Sequence, residues 1–236
     1  MNALERWQTA ISSNLAAGAV PGYKKEETSF SSALAGTAQL QPDDASADVK
    51  QVMPVATSKM TDSQGTLRQT GQSLDFALQG PGYFQVSTPS GGKAYTRDGE
   101  FHLDPKGNLV NVSGMQVQGD KGPIKIDLSN GPVAVDRTGL VSQSGTPLGK
   151  FAIADLSKAG PLQRSADGLV APTNANAATQ VKNPEVMQGY VEDSNVVPLR
   201  EMVNLINVSR AYDISQKLVT SMDQTTHSAI DALGTP

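Results

Sequence analysis

The chain has 236 residues, of which 38% are apolar and only 5% are aromatic, and its formal net charge is −4. Because it contains no cysteine, disulfide bonds, thiol catalysis and thiolate metal sites are excluded. The acidic balance argues against a nucleic-acid-binding surface, and no apolar run reaches the roughly 20 residues that cross a membrane. We therefore expect neither nucleic-acid binding nor direct insertion into a membrane.

The first segment, residues 1–30, begins with a helical pattern. Its apolar residues follow one another at spacings of three or four and form one face of a helix over residues 1–17: Leu4, Trp7, Ile11 and Leu15. Gly18 and Pro21-Gly22 end the pattern. An isolated helix of this length is marginal in water, so we expect residues 1–17 to be poorly ordered in a chain without partners.

Residues 31–72 have few large apolar side chains and many Ser, Ala, Thr, Gln and Gly. This composition is typical of a linker or of an extended, poorly packed arm.

Residues 73–188 are predicted to form a β domain with a connecting arm. Short apolar stretches alternate with turn signals over residues 73–153, including Gly80-Pro81-Gly82 and Asp104-Pro105-Lys106-Gly107. The pattern predicts antiparallel strands, one of them over residues 124–128. Residues 154–188 are polar and turn-rich, and they are expected to be an arm.

The last segment, residues 189–236, contains a long helix. Pro198 suits the first turn of a helix, and no Gly or Pro follows it before Gly234. Apolar residues at helical spacing predict a one-sided stripe that would bind another helix: Leu199, Met202, Val203, Ile206, Ala211, Ile214, Leu218 and Met222. The alternative, in which both terminal helices pack on the β domain, is less favoured because polar arms separate them from it.

The predicted fold is therefore mainly β with terminal α-helices. A central antiparallel β domain is flanked by N- and C-terminal helices that pair in a coiled-coil-like layer. The stripe residues of both helices are the predicted assembly interface.

Residues with possible chemistry are few and scattered. The two histidines, His102 and His227, have no carboxylate at metal-binding spacing beside them. Asp98, Glu100 and Asp104 lack the central glycine and terminal glutamate of a calcium loop. We interpret the carboxylates as solvated strand residues, His102 as a half-buried strand residue, and His227 as solvent-facing.

The glycines at Ser90-Gly91-Gly92-Lys93 resemble a phosphate loop only superficially, and a hairpin turn fits them better. No nucleophile elbow or Ser/His/Asp set is present in the sequence. The sequence therefore predicts no catalytic site, no metal and no cofactor.

Several strings, in order along the chain, resemble the flagellar rod and hook protein family. They are Asn14-Leu15-Ala16, Pro21-Gly22-Tyr23-Lys24, the run from Leu74 to Val86, Tyr95-Thr96-Arg97-Asp98-Gly99-Glu100-Phe101, Gly107-Asn108-Leu109-Val110, Gly189-Tyr190-Val191-Glu192-Asp193-Ser194-Asn195-Val196, and Arg210-Ala211-Tyr212. Each match is weak alone, and together they are specific.

The resemblance implies a structural subunit of the bacterial flagellar basal-body rod, of the proximal or the distal type. It implies helical self-assembly through paired terminal helices, with other rod and hook proteins as partners. It also implies export by the flagellar export apparatus. The N-terminus has Glu5 and Arg6 and no uncharged apolar core, so no cleaved secretory signal is expected.

Two other functions remain open at this point. A secreted β-rich binding module, such as an adhesin, would use the β domain to recognise a ligand and would be a well-behaved monomer. A hydrolase using carboxylates of the β domain ranks last, because no acid/base pair is identifiable.

Overall fold

The computed structural model of the chain describes residues 2–38, 49–88, 91–127, 129–165, 168–174 and 177–234. The chain divides into two compact units. The first comprises Met1–Ala16, Glu26–Lys59 and Val197–Pro236, and the second comprises Ala17–Lys25 and Met60–Val196. The fold is mainly β with one N-terminal and one C-terminal helix, as the sequence predicted.

The first unit consists of two helices and two long strands. Helix α1 is Asn2–Ala16, strands β1 and β2 are Glu26–Ala38 and Val49–Met60, and helix α2 is Pro198–Gly234. The helix predicted after the break at Pro198 begins at that residue, because a proline in the first turn gives up no helical hydrogen bond. Strands β1 and β2 pair with each other.

The second unit is built from short strands with glycine-rich turns. Its first nine strands are β3 (Leu67–Gln69), β4 (Phe76–Gln79), β5 (Tyr83–Ser87), β6 (Lys93–Thr96), β7 (His102–Leu103), β8 (Leu109–Val110), β9 (Gln116–Gly119), β10 (Gly122–Pro123) and β11 (Val133–Val135). The others are β12 (Leu140–Gln143), β13 (Thr146–Lys150), β14 (Ile153–Asp155), β15 (Leu162–Arg164), β16 (Val170–Pro172), β17 (Thr179–Gln180), β18 (Glu185–Gln188) and β19 (Tyr190–Glu192).

Strand pairing in the second unit is antiparallel, as expected. The largest sheet runs β15-β16-β6-β5-β9-β8-β7, with β10 on β9 and with β14 joined to both β5 and β17. Strands β11, β12 and β13 form a second sheet. The two-stranded pairs β4–β18 and β3–β19 join the first strands of the unit to its last ones.

Aromatic rings form the centre of the core. Phe76, Phe84, Phe101 and Phe151 are all buried, and their centroids lie 5.1–6.4 Å apart. Tilted and edge-to-face arrangements of this kind match the positive ring edge to the negative ring face.

One expectation about local structure is wrong, and two segments expected to be arms contain strands. Residues 124–127 form no strand, and Lys125 makes only an isolated bridge with Asn108, while Leu128 lies outside the described residues. The supposed arm 154–188 contains β15 to β18, whose short lengths hide the period-two pattern. The supposed arm 31–72 contains most of β1, all of β2 and β3, although residues 39–48 lie outside the described part.

Candidate functional site

Helix α1 packs against α2 and β1 within the first unit. Ala10 and Ile11 of α1 are buried, and Val208 of α2 is fully buried. Helix α1 therefore has a partner helix in the same chain, and the marginal stability of an isolated helix of this length does not apply to it. Of the predicted α1 stripe, Ile11 is buried in this packing, but the sequence could not tell whether the partner was another chain or the same one.

A polar contact accompanies this packing. Asn14, which is 1% exposed, donates from Nδ2 to the Glu26 carbonyl oxygen at 2.8 Å and to Glu201 Oε2 at 3.4 Å. Its Oδ1 accepts a hydrogen bond from the Glu26 amide at 2.9 Å. A buried side-chain amide is stable only when such partners are present, so Asn14 fixes the positions of α1, β1 and α2 relative to one another.

The other predicted interface residues of α1 are half-buried. These are Leu4, Trp7 and Leu15. The Trp7 ring makes an edge-to-face contact with Phe30 of β1, with centroids 5.4 Å apart. Part of the predicted α1 interface is thus covered by the chain itself.

Helix α2 exposes most of its predicted stripe. Leu199 is 74% exposed and Met222 is 63% exposed, and Ala211 is half-buried. The remaining exposed members of the prediction are Met202, Val203, Ile206, Ile214 and Leu218. Val219, which the sequence analysis did not include, is also exposed.

The exposed apolar residues of α2 lie on two faces of the helix. With about 100° between successive residues, Leu199, Met202, Val203, Ile206 and Ile214 lie roughly opposite the buried Glu201 and Val208. We call these five residues the outer face.

By the same geometry, Val219 and Met222 lie on or beside the line of the buried side chains, further along the helix, and Leu218 lies about a quarter-turn from that line, on the same side as Met222. Helix α1 has 15 residues and α2 has 37, so α1 is too short to cover all of α2. We call these three residues the distal face. The predicted single stripe therefore winds around the helix from one face to the other.

A buried ion cluster lies in the second unit. Lys24 Nζ donates to Glu192 Oε1 at 2.6 Å, and Arg97 Nε donates to Glu192 Oε2 at 2.6 Å. All three side chains are at most 4% exposed. The Gly65 amide donates a third hydrogen bond to this carboxylate, at Oε1, over 2.9 Å. Burial lowers the pKa of Lys24, and the hydrogen bond with Glu192 opposes that change.

Sequence analysis did not identify this cluster. Its signal was nevertheless present, because Lys24, Arg97 and Glu192 each belong to one of the strings that carry the family resemblance. Composition and periodicity could not show that three strings so far apart meet at one carboxylate.

The candidate chemical residues do not converge. His102 lies on β7 and is exposed, so its expected half-buried position is wrong. His227 is exposed on α2, as expected. Asp104 accepts hydrogen bonds from Asn108 and from the Lys106 amide, which makes it a turn-forming residue.

Asp98 is partly buried and accepts a hydrogen bond from the Glu100 amide. Burial raises its pKa to about 6, and the neighbouring charges of Glu100 and Asp75 act in the same direction. Across the described residues, no three His, Asp or Glu side chains are grouped as metal ligands. Gly91 and Gly92 connect β5 to β6, as a hairpin requires, while Ser90 lies outside the described residues.

No helix among the described residues has the length and apolar character needed to cross a membrane.

Comparison with protein families matches two parts of the chain. Residues 77–143 match the D1 domain of the flagellar hook protein FlgE/F/G, and residues 187–232 match the C-terminal part of the flagellar basal-body rod FlgEFG protein. The first match lies in the second unit. The second includes Glu192 and most of α2.

Whole-chain relatives agree with the family models. The flagellar basal-body rod protein FlgF of Caulobacter vibrioides is 33% identical over 98% of this chain and 93% of its own length. FlgG of Buchnera aphidicola subsp. Baizongia pistaciae is 32% identical over 91% of this chain and 89% of its own length. FlgF of Mesorhizobium japonicum is 30% identical over 98% of this chain and 93% of its own length.

The chain belongs to the family of flagellar basal-body rod proteins. Its relatives are structural proteins of the bacterial flagellum, and no catalytic family is indicated.

Proposed function

We propose that this chain is a non-enzymatic structural subunit of the flagellar rod that assembles helically through its terminal helices. The observation that carries the proposal is the run of exposed apolar side chains on α2. Removing one large apolar side chain from water contributes roughly 1.5–3 kcal/mol. Several such residues on each subunit therefore favour association strongly.

In the proposed assembly, α1 and α2 of each subunit pair in a coiled-coil-like layer, and the outer and distal faces of α2 contact neighbouring subunits. The two faces point in different directions around the helix, so they would contact different neighbours. Contacts between unlike surfaces generate an open helix when the rotation does not close. Such a filament would transmit torque along its axis from the motor to the hook.

The predicted segments would have different roles in the assembly. Residues 1–30 and 189–236 would form the assembling ends. Residues 31–72 would be an extended arm that contains most of β1 and all of β2 and β3, and residues 73–188 the β domain, whose connecting arm contains β15 to β18. The predicted interface stays a proposal for all twelve residues, including those of α1 that the chain itself covers in part.

The proposed partners are further copies of this chain and other rod and hook proteins. We propose delivery by the flagellar export apparatus, without a cleaved signal peptide, to the part of the basal body that crosses the periplasm. No catalytic, metal or cofactor role is proposed. The adhesin-like alternative gains no support from the relatives, which are rod proteins.

The proposal is tested in the native organelle. Basal bodies purified from the source bacterium are analysed by mass spectrometry and electron microscopy, alongside basal bodies from a deletion strain. We expect this chain in the wild-type rod fraction and a rod defect in the deletion strain. An intact rod without this chain would contradict the proposal.

A further inference from the structure

Four chain segments that are far apart in sequence meet at the Glu192 carboxylate. Lys24 belongs to the N-terminal segment of the second unit, Gly65 to the segment before β3, Arg97 to the turn after β6, and Glu192 to β19. Lys24 and Glu192 are separated by 168 residues. The contact is therefore made by the tertiary fold and not by residues that are neighbours along the chain.

Backbone bonds run beside the ion pairs. The Gly22 amide donates to the Glu192 carbonyl oxygen at 2.7 Å, and the Asn195 amide donates to the Tyr23 carbonyl oxygen at 3.3 Å. The Lys25 amide donates to Asn195 Oδ1 at 2.6 Å. Residues 22–25 and 192–195 therefore lie side by side, and neither segment contributes a strand to the ten-stranded sheet.

Close packing holds the N-terminal segment in place. Gly22 has φ +68°, and a Cβ at this position would lie 2.3 Å from the Asp98 amide nitrogen. Only glycine fits such an approach without moving the backbone. Tyr23 is buried, with the Arg164 guanidinium 3.8 Å from its ring centroid. The N-terminal segment is thus packed closely against the backbone at Asp98 and against the side chain of Arg164.

The charges in the cluster are unequal. Two cations face one carboxylate, and Arg97 also donates to the carbonyl oxygens of Leu78 and Gly80. Loss of Lys24 leaves a neutral Arg97–Glu192 pair. Loss of the Glu192 charge leaves two buried cations with no directly bonded carboxylate and only the more distant charge of Asp62 acting on Lys24, which is much less favourable.

We infer that Glu192 is the centre of a latch that couples the two chain ends of the second unit. Each of the two segments, residues 22–25 and residues 192–195, holds the other in place. Because coupling between two segments is reciprocal, loosening either one loosens the other.

The test is hydrogen exchange on the full-length chain. Lys24→Met keeps the aliphatic stem and removes the cation from the N-terminal segment. We expect at least tenfold faster exchange at the Asn195 amide and its C-terminal neighbours, with unchanged exchange at the core amides of Leu109 and Ile124. Glu192→Gln should accelerate exchange at Gly22 and Lys25 by a larger factor.

The matched control is Arg68→Gln. It removes an ion pair with Asp193, one residue beyond Glu192, at a site where both side chains are more than 40% exposed. This variant should leave exchange at residues 22–25 unchanged. If Glu192→Gln does not fold, Lys24→Met and Gly22→Ala still test the coupling from the N-terminal side. The inference is overturned if these folded variants leave residues 192–195 as protected as in the wild type, or if Arg68→Gln has the same effect as they do.

Discussion

The Asn14 side chain in α1 donates a hydrogen bond to the buried carboxylate of Glu201 in α2, across 187 residues of sequence. Both residues are 1% exposed. The apolar stripe of α1 alone would allow the helix to pair with α2 in more than one register, because apolar packing has little directional preference. A buried hydrogen bond is directional and therefore selects one register for the pair.

Asn14→Ala should weaken the first unit. It removes both hydrogen bonds to the Glu26 backbone and the contact with Glu201, so we expect a loss of about 2 kcal/mol in the free energy of unfolding. Helical circular dichroism during urea unfolding gives the measurement. Ser12→Ala, at an exposed position of the same helix, is the control and should have little effect. Equal stability of the two variants would show that Asn14 is not needed for helix packing.

Leu218→Asp with Met222→Asp should block incorporation into the rod while the second unit stays folded. Both residues are exposed on the distal face, so the new charges are tolerated in the free chain but would be desolvated in a subunit contact. The measurements are swimming in a complemented deletion strain and the content of this chain in purified basal bodies.

Gln216→Asp with Thr220→Asp is the matched control for the distal face. It introduces the same two charges, at the same spacing of four residues, at exposed polar positions that belong to neither the outer nor the distal face. We expect normal swimming from this variant. A swimming strain that carries the double substitution would contradict the proposed role of this face.

Asp98→Asn should stabilise the second unit at neutral pH. Burial raises the folded-state pKa of Asp98 to about 6, above the usual 3.8. The contribution of this carboxyl to stability is therefore full below about pH 4 and is lost as pH rises through 6. After allowance for partial solvent exposure, we expect a gain of about 1–2 kcal/mol for Asp98→Asn at pH 7.5 and none at pH 4.

Urea unfolding at the two pH values measures this difference. Asp136→Asn is a control of opposite sign, because hydrogen bonds from Thr138 and from the Leu140 amide lower the pKa of Asp136. That variant should lose stability at neutral pH. Swimming should be unaffected by Asp98→Asn, since no chemistry is assigned to this residue. A gain for Asp98→Asn that does not vary with pH would exclude the carboxyl as its source.

Tyr83→Phe should be neutral or stabilising below pH 10. The Tyr83 hydroxyl is buried, and no hydrogen-bond partner for it lies among the described residues. Burial raises its pKa to about 12, with the Asp62 charge acting in the same direction. The wild type should lose stability as pH rises from 10 through 12, because the unfolded tyrosine ionises first.

Tyr83→Phe should not show this loss of stability as pH rises from 10 through 12. Ultraviolet titration of tyrosinate, combined with unfolding at pH 9 and 11.5, measures both effects. Tyr190→Phe controls for the removal of one tyrosine from the absorbance signal. An unchanged alkaline titration in Tyr83→Phe would show that Tyr83 does not carry the raised pKa.

His102→Gln should have little effect on stability. The sequence placed His102 between two apolar residues and suggested packing, but the side chain is exposed on β7. The free energy of unfolding of the variant, measured by thermal unfolding, should agree with that of the wild type within about 0.5 kcal/mol, as for other surface substitutions. A larger loss would mean that the imidazole makes a contact important for folding.

The sequence alone determined the secondary structure where the signal is local and repeated. The apolar period of α1, the first-turn proline of α2 and the turn residues that separate β4 from β5 each depend on neighbours within a few residues. Family membership could also be inferred, because it depends on strings and their order. Short strands such as β15 and β17 were missed, since two or three residues are too few to show alternation.

Only the tertiary structure decided which faces are covered. The stripe on α2 gives an apolar pattern, but α1 covers only part of the helix and the winding of the stripe divides the exposed residues into two faces. Likewise, Lys24, Arg97 and Glu192 are ordinary charged residues in the sequence. They form a site because folding removes all three from water at one point, where a charge is stable only beside its counter-ion.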